Sequence, residues 1–429
     1  MNSFLSKIRN RDYLIYIIVF FCSVLVTSLF LMLLPASFSA NQSSDFTSAY
    51  EPLARNMLLG KGYTVDGSNF FTFYPPGFPL LIAGQFWIAR VFSLQESFVN
   101  AASNVFLVAS TVTVFFHVVR KLTNRLVALI AAILLMTYPF LLWLTKQPNS
   151  EIPFIAVLFL SFSALLSACL GQKKSKLWFL LSGLLLGLAM LIRPIAVFFP
   201  IAFIISIFLL LDRTPKKVKL VTSLIFLSGV LLAVLPWEIQ VFNKTGKVVL
   251  ISENSSIALR GGLVFAVADK DYKQPVPVPK DVEALMMEIK NDYHSFLDRR
   301  TIISFFREKL VESPGTVFKL FGIKALRSWY ATDSQSYETF ILLAQIPYIG
   351  MIVAGSIIAW RKQGIFQKIM IVIWLITLIN WGMTILVTST LRYMVPVICL
   401  QFINIAQIPL SSNSLNTSKE SYIGCNHQP

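Results

Sequence analysis

The sequence predicts an all-α polytopic membrane protein of about ten transmembrane helices, with one interfacial or re-entrant helix and two long extracytoplasmic loops. Three observations carry that expectation. Of 429 residues, 55% are hydrophobic and only 14% charged, with a mean hydropathy of +0.68; an ordinary soluble domain is about 25% charged. Apolar, charge-free intervals recur at the length a bilayer demands, about 20 residues for about 30 Å of hydrocarbon. The net charge of +16 falls in short clusters between those intervals.

The intervals are 13–36, 97–119, 126–145, 152–172, 177–192, 194–211, 220–237, 339–360, 369–391 and 393–410. The first exceeds the roughly 7–15 apolar residues of a cleavable signal and lacks a small-x-small site after it, so it reads as a signal anchor. The shortest, 177–192, abuts Arg193-Pro194 and is expected to form a tight hairpin with its successor.

Stretch 79–95 is apolar but short, carries Arg90, and follows Pro75, Pro76, Gly77 and Pro79. Positive charge on cytoplasmic loops decides its place. If it does not span, the N-terminus and segments 120–125, 173–176, 213–219 and 361–368 put sixteen cations inside, against Lys146, Arg193 and Arg392 in short outer loops. If it spans, six cations fall inside and thirteen outside. The first arrangement satisfies the rule, so 79–95 is expected to lie at the outer face and both termini in the cytoplasm. The basic excess is a topology signal and does not call for nucleic acid.

Four regions follow. Residues 1–240 form a transmembrane region that includes the first outer loop, 37–96. Residues 241–338 form a second extracytoplasmic loop with amphipathic helices, 339–411 the C-terminal transmembrane helices, and 412–429 a Ser/Asn-rich cytoplasmic tail expected to be disordered. Long loops on one face of a bundle with otherwise short connections are where function concentrates. In the first loop Pro52 suits a first helical turn and Gly60 a helix end, predicting a short surface helix over 51–59 with Asp45 just before it. In the second, the β-branched run 248–251 suggests a short strand or hairpin, PVPVP at 275–279 is extended, and helices are expected over 281–311 and 314–330. The latter carries aromatic and basic residues suited to the headgroup zone.

Charge at membrane depth is costly. Asp45, Lys146, Glu151, Arg193, Glu238, Glu338 and Arg392 all fall near the outer boundary, and no charge falls in the middle of a span. A transporter or flippase, which needs a polar route through the bilayer, is disfavoured by that pattern. From the residues alone Asp45 is either a turn residue or a general base. Glu151 is either a helix-dipole charge or an active acid. Arg193, Arg392 and Lys146 either snorkel to headgroups or hold a lipid phosphate, while Glu238 and Glu338 read as span-end charges. No His/Cys/Asp/Glu grouping has metal-ligand spacing, so neither metal nor other cofactor is predicted. The four cysteines show no disulfide framework. Gly60-x-Gly62 lacks a preceding strand, so no nucleotide-phosphate loop is recognised.

Four stretches resemble a known family. Tyr50-x-x-x-Ala54-Arg55-Asn56, Gly60-x-Gly62-Tyr63 and Tyr74-Pro75-Pro76-Gly77-Phe78-Pro79 follow an acid in the first loop. Ser150-Glu151 opens the fourth span, Gly183-x-x-x-Gly187-x-Ala189-x-Leu191-x-Arg193-Pro194 ends the fifth, and Leu235-Pro236-Trp237 with Asn243-x-x-Gly246 ends the seventh. Their order resembles GT-C membrane glycosyltransferases, closest to the protein-mannosyltransferase-like group (glycosyltransferase family 39), and Arg392-Tyr393-x-x-Pro396 agrees in the last span. The resemblance implies Asp45 as the active-site base, assisted by Glu151. It implies a polyprenyl-phosphate sugar donor held by Arg193, Arg392 and Lys146, a substrate loop of Tyr50, Tyr74, Pro75 and Pro76, and an acceptor glycan, lipid or protein; the short, cysteine-free loops point to the plasma membrane. Two departures stand out: Phe46 replaces the second acid that commonly follows the aspartate, and Phe73-Tyr74 replaces the Glu-Lys pair of the aminoarabinose transferases. The alternatives are a glycan polymerase or ligase, a flippase, and a non-catalytic scaffold.

Overall fold

The structure, a computed structural model, describes residues 2–35, 45–171, 176–253, 277–291 and 299–408. The tail after 411 and much of the second loop, 254–276 and 292–298, lie outside the described residues. In chain order the helices are α1 (Asn2–Leu33), α2 (Glu51–Leu58), α3 (Gly77–Val91), α4 (Glu96–Leu122), α5 (Arg125–Met136), α6 (Pro139–Leu144), α7 (Glu151–Leu170) and α8 (Lys176–Ile192). Then come α9 (Phe199–Leu210), α10 (Lys216–Thr245), α11 (Lys280–Asn291), α12 (Arg299–Glu312), α13 (Pro314–Arg327), α14 (Glu338–Lys362), α15 (Gly364–Leu386) and α16 (Leu391–Ile405). A π-turn, Phe46–Tyr50, leads into α2, and a 3₁₀ turn, Pro194–Phe198, into α9.

The chain is a helical, multi-pass membrane protein. Among the described residues six helices are each long and apolar enough to cross a membrane: α1 from Tyr13, α4, α7, α10, α14 and α15. The remaining four apolar intervals are built from shorter helices, α5 with α6, α8, α9 and α16. The third interval is not the single helix expected. Pro139 lacks an N–H and pushes Tyr138 into extended backbone (ψ 113°), which ends α5 and starts α6.

Helix α7 is the axis of the bundle. Its apolar window is 78% buried, against 22% for α1 and 17% for α14, which face outward. Ser161 and Ser182 tie α7 to α8 reciprocally, each hydroxyl donating to the other's carbonyl (2.8 and 3.0 Å).

Span 177–192 does not pair chiefly with its successor, as the sequence reading expected. Helix α8 packs mainly on α10 and α7, because Gly183 and Gly187 remove the side chains that would hold α10 away. A Cβ on Gly183 would lie 1.9 Å from the Phe226 carbonyl oxygen, and one on Gly229 would lie 2.2 Å from that of Leu180. The small-xxx-small pattern is a close-approach seam.

In the second loop, run 248–251 is not a strand. Ile251 has φ +64°, its N–H donates to Glu238 (2.7 Å), and its carbonyl accepts from the Trp237 indole (3.0 Å), so neither group is left for a β-partner. Where one helix was expected over 281–311, α11 and α12 occupy its two ends. With α13 they enclose a small separate core of Val282, Leu285, Met286, Ile289, Ile302, Val317 and Leu320. Trp381 on α15 donates to Ala325 O and Ser328 Oγ (3.1 and 2.8 Å), fixing α13 to the bundle.

The first-loop helix forms as expected, with Pro52 in its first turn and Gly60 at φ +72° beyond its end. Leu53 and Ala54 are fully buried, and α2 packs on α3. Pro76 caps α3, and Gly77 packs so closely on the end of α8 that a Cβ there would meet Leu191 O at 2.6 Å.

Candidate functional site

Three chain turns deliver charge to one end of the bundle, and each is set locally. Pro194 disfavours helical backbone in the residue before it, so α8 stops at Ile192 and Arg193 turns out extended (φ −139°, ψ 114°). Asn149 caps the next turn, its Oδ1 accepting from Ile152 N (3.1 Å), which places Glu151 at the positive N-terminal end of α7. Thr390 is extended and starts α16, so Arg392 lies in its first turn.

These side chains meet. Arg193 Nη1 is 2.6 Å from Glu151 Oε1 and 3.1 Å from Ser150 Oγ, with both charged groups buried. Arg392 approaches the same carboxylate (Nε to Oε1, 3.9 Å) and pairs on its other edge with Asp333 (Nη1 to Oδ2, 3.1 Å). Tyr393 lies under both cations, its ring 4.7 Å from the Arg193 guanidinium carbon and 5.1 Å from that of Arg392. Two like charges are thus held side by side by an acid and an aromatic face.

Asp45 completes the group. It is half-buried at the start of the π-turn, and its charge acts on Arg392, Tyr50 and Tyr74. The Tyr50 ring packs 4.7 Å from Tyr74 and 4.9 Å from Phe78. Burial, reinforced by neighbouring negative groups including Asp45, pushes both phenols above their ordinary pKa, so each remains a hydrogen-bond donor at neutral pH. Tyr63 donates to the Tyr74 carbonyl (2.8 Å), and Gly77, at the end of the Pro75-Pro76-Gly77 turn, packs on the backbone of Leu191 and Ile192 just before Arg193. The two prolines shape backbone, while the tyrosines face the acid.

The structure therefore brings together Asp45, Tyr50, Tyr74, Glu151, Arg193 and Arg392. It does not bring in Lys146, whose ammonium sits 4.1 Å from the centre of the Trp143 ring and makes no ion pair with the site acids among the described residues. Glu238 and Glu338 are more than span-end charges. Glu238 pins Ile251, while Trp237 meets Tyr63 edge-on (5.0 Å) and packs against Phe70 (5.7 Å), joining the two outer loops. Glu338 pairs with buried Arg327 (2.8 Å) and accepts from Thr332 N (2.9 Å). The sequence reading missed Asp333, and gave no role to Tyr393 or Ser150 although it quoted both. Tyr393 is signalled by adjacency to Arg392; for Asp333 no local signal exists. No group of three His, Cys, Asp or Glu arranged to hold a metal occurs among the described residues.

The comparisons with known proteins agree with the motifs. The family model described as dolichyl-phosphate-mannose-protein mannosyltransferase matches residues 74–239, which run from Tyr74 through Glu151 and Arg193 to Ile239. The fold is similar to ArnT from Cupriavidus metallidurans bound to undecaprenyl phosphate (TM-score 0.56, 11% identity, covering 95% of this chain and 62% of that one). It is also similar to the oligosaccharyltransferase of Archaeoglobus fulgidus in the apo form (TM-score 0.58, 14% identity, covering 96% and 52%). Both are GT-C enzymes, and this chain has their fold. It spans less than two thirds of the length of either. No curated protein matches it by sequence.

Proposed function

We propose that this GT-C-fold chain transfers a hexosyl or pentosyl unit from a polyprenyl-phosphate carrier to an acceptor hydroxyl at the outer face of the plasma membrane, inverting the anomeric carbon. The observation that supports it is the gathering of Asp45, Tyr74, Glu151, Arg193 and Arg392 at one end of an apolar bundle, with Asp45 outside any ion pair among the described residues. The undecaprenyl phosphate bound to the ArnT neighbour indicates the carrier class.

In this reading the acceptor O–H gives its proton to the Asp45 carboxylate as its oxygen bonds to the anomeric carbon. The bond from that carbon to the phosphate oxygen breaks, and the carrier leaves as polyprenyl phosphate with one more negative charge. Arg392, with Arg193 behind it, faces that charge from a fixed position, which is where electrostatic catalysis is strongest. Glu151 holds the two guanidiniums in register and is not the proton carrier. Lys146 serves as a headgroup contact.

The test incubates purified protein with polyprenyl-phosphate sugars and one polyprenyl-diphosphate oligosaccharide, and follows which is consumed. Consumption of a monosaccharide donor is expected. Consumption of the oligosaccharide alone assigns the ligase reading, and consumption of none by folded protein overturns glycosyl transfer.

A further inference from the structure

The charges of the site do not balance. Three carboxylates, Asp45, Glu151 and Asp333, face two guanidiniums, Arg193 and Arg392. An anion entering the site as it stands meets an excess of negative charge. The two arginines differ in how firmly they are held. Arg193 is buried and committed to Glu151 and Ser150. The Arg392 side chain is 30% exposed, and its Nε makes no hydrogen bond among the described residues.

Asp333 belongs to a strap, residues 328–337, between α13 and α14. Its backbone is secured just before Asp333: Leu391 N donates to Ala331 O (2.9 Å), and Thr332 N donates to Glu338, itself paired with Arg327. The Asp333 side chain is the loose part. It is 42% exposed and has no partner but Arg392 among the described residues. Its Oδ2 lies 3.1 Å from Nη1, the place a phosphate oxygen would take on a guanidinium edge.

We propose that Asp333 is a positioning residue, a built-in counter-anion of Arg392 that exchanges for a phosphate-class anion when the site fills. While the site is empty it keeps Arg392 oriented and the cations neutralised. On filling, the phosphate takes Nη1 and the strap carboxylate turns to water. On departure of the product, Asp333 returns and competes the phosphate off. The assignment of a lipid source for that phosphate rests on the proposed function; the exchange itself does not.

The full chain is titrated with sugar-free polyprenyl phosphate and, separately, with inorganic phosphate. Asp333→Asn and Asp333→Ala are expected to bind about tenfold more tightly than wild type, while Asp333→Glu keeps wild-type affinity. In turnover the neutral variants lower both KM for the donor and kcat, because product release slows. Tightening for the lipid phosphate assigns a membrane source and tightening for the inorganic ion alone a soluble one; either supports the exchange. Equal or weaker binding by a folded Asp333→Asn overturns it. Hydrogen exchange in the wild type is independent of variant folding: residues 331–337 should exchange faster with polyprenyl phosphate bound, and unchanged or slower exchange also overturns it. A chain that shows these effects yet consumes no donor refutes the transfer reading and leaves this inference standing.

Discussion

Arg193 and Glu151 form a buried ion pair, Nη1 to Oε1 2.6 Å, between the end of one helix and the start of another. Removing one partner of such a pair leaves a desolvated charge, at a cost of about 3–5 kcal/mol. Glu151→Ala should therefore lower Tm sharply and abolish transfer. In a double-mutant cycle, Glu151→Gln with Arg193→Met should recover part of the stability that either single change loses. Thermal unfolding in detergent reads this directly. A wild-type Tm for Glu151→Ala would show that Arg193 does not depend on the acid.

Asp45 makes no ion pair among the described residues, so its removal should separate chemistry from folding. Asp45→Asn is expected to lower kcat by about 10²–10⁴-fold, the usual worth of a general base, with Tm unchanged. Tyr74→Phe removes a hydroxyl on which that carboxylate acts and which can donate to it. Hydrogen bonds to charged groups contribute about 1.5–3 kcal/mol, so a loss of roughly ten- to a hundredfold in kcat is expected, with KM for the donor little altered. Wild-type turnover in Asp45→Asn would remove the assigned base.

Much of this site is legible because it is made of punctuation. Pro194 ends a helix and puts Arg193 in extended backbone, Pro76-Gly77 starts another beside it, and Asp45 stands just before the Pro52 helix. Each is a local rule acting within a few residues. Height along the membrane normal is readable from sequence and groups Lys146 with the arginines, whereas azimuth around the bundle is not readable; the structure turns Lys146 onto Trp143. Asp333 was missed for the related reason that its partner is about sixty residues away across the strap. The strand expected at 248–251 failed because β-propensity needs a partner edge, and Glu238 and Trp237 capture Ile251 first.

Packing of α8 on α10 was hidden in glycines that the sequence reading treated only as a family pattern. The Gly183 Cβ position lies 1.9 Å from a backbone oxygen, which has no side-chain rotamer by which to yield. Gly183→Ala should force the helices apart, at a cost of about 1–3 kcal/mol for overpacking. Because α8 ends in Arg193, the shift should also weaken transfer. Gly315→Ala, where a Cβ meets nothing within 4 Å, is the control and should leave Tm and activity near wild type. Equal Tm values for the two variants would contradict the seam.

Lys324 on α13 is fully buried, and burial holds its amine down to about 7. In the unfolded chain the same amine stays protonated to about pH 10.4. Between pH 7 and that value the unfolded state binds the proton and the folded state does not, so stability rises with pH. Below pH 7 both states carry the charge, the full cost of burying it remains, and the dependence vanishes. Wild-type Tm should therefore climb from pH 7 to pH 9, while Lys324→Met should begin higher at pH 7 and lose most of the slope. The change reaches the site through Arg327, three residues along the same helix, whose pairing with Glu338 secures the strap that presents Asp333. Faster hydrogen exchange in residues 331–337 at pH 6 than at pH 9, beyond the intrinsic dependence of exchange and suppressed in Lys324→Met, would mark that link; a pH-independent wild-type Tm would show that the buried amine keeps its charge at no cost to folding.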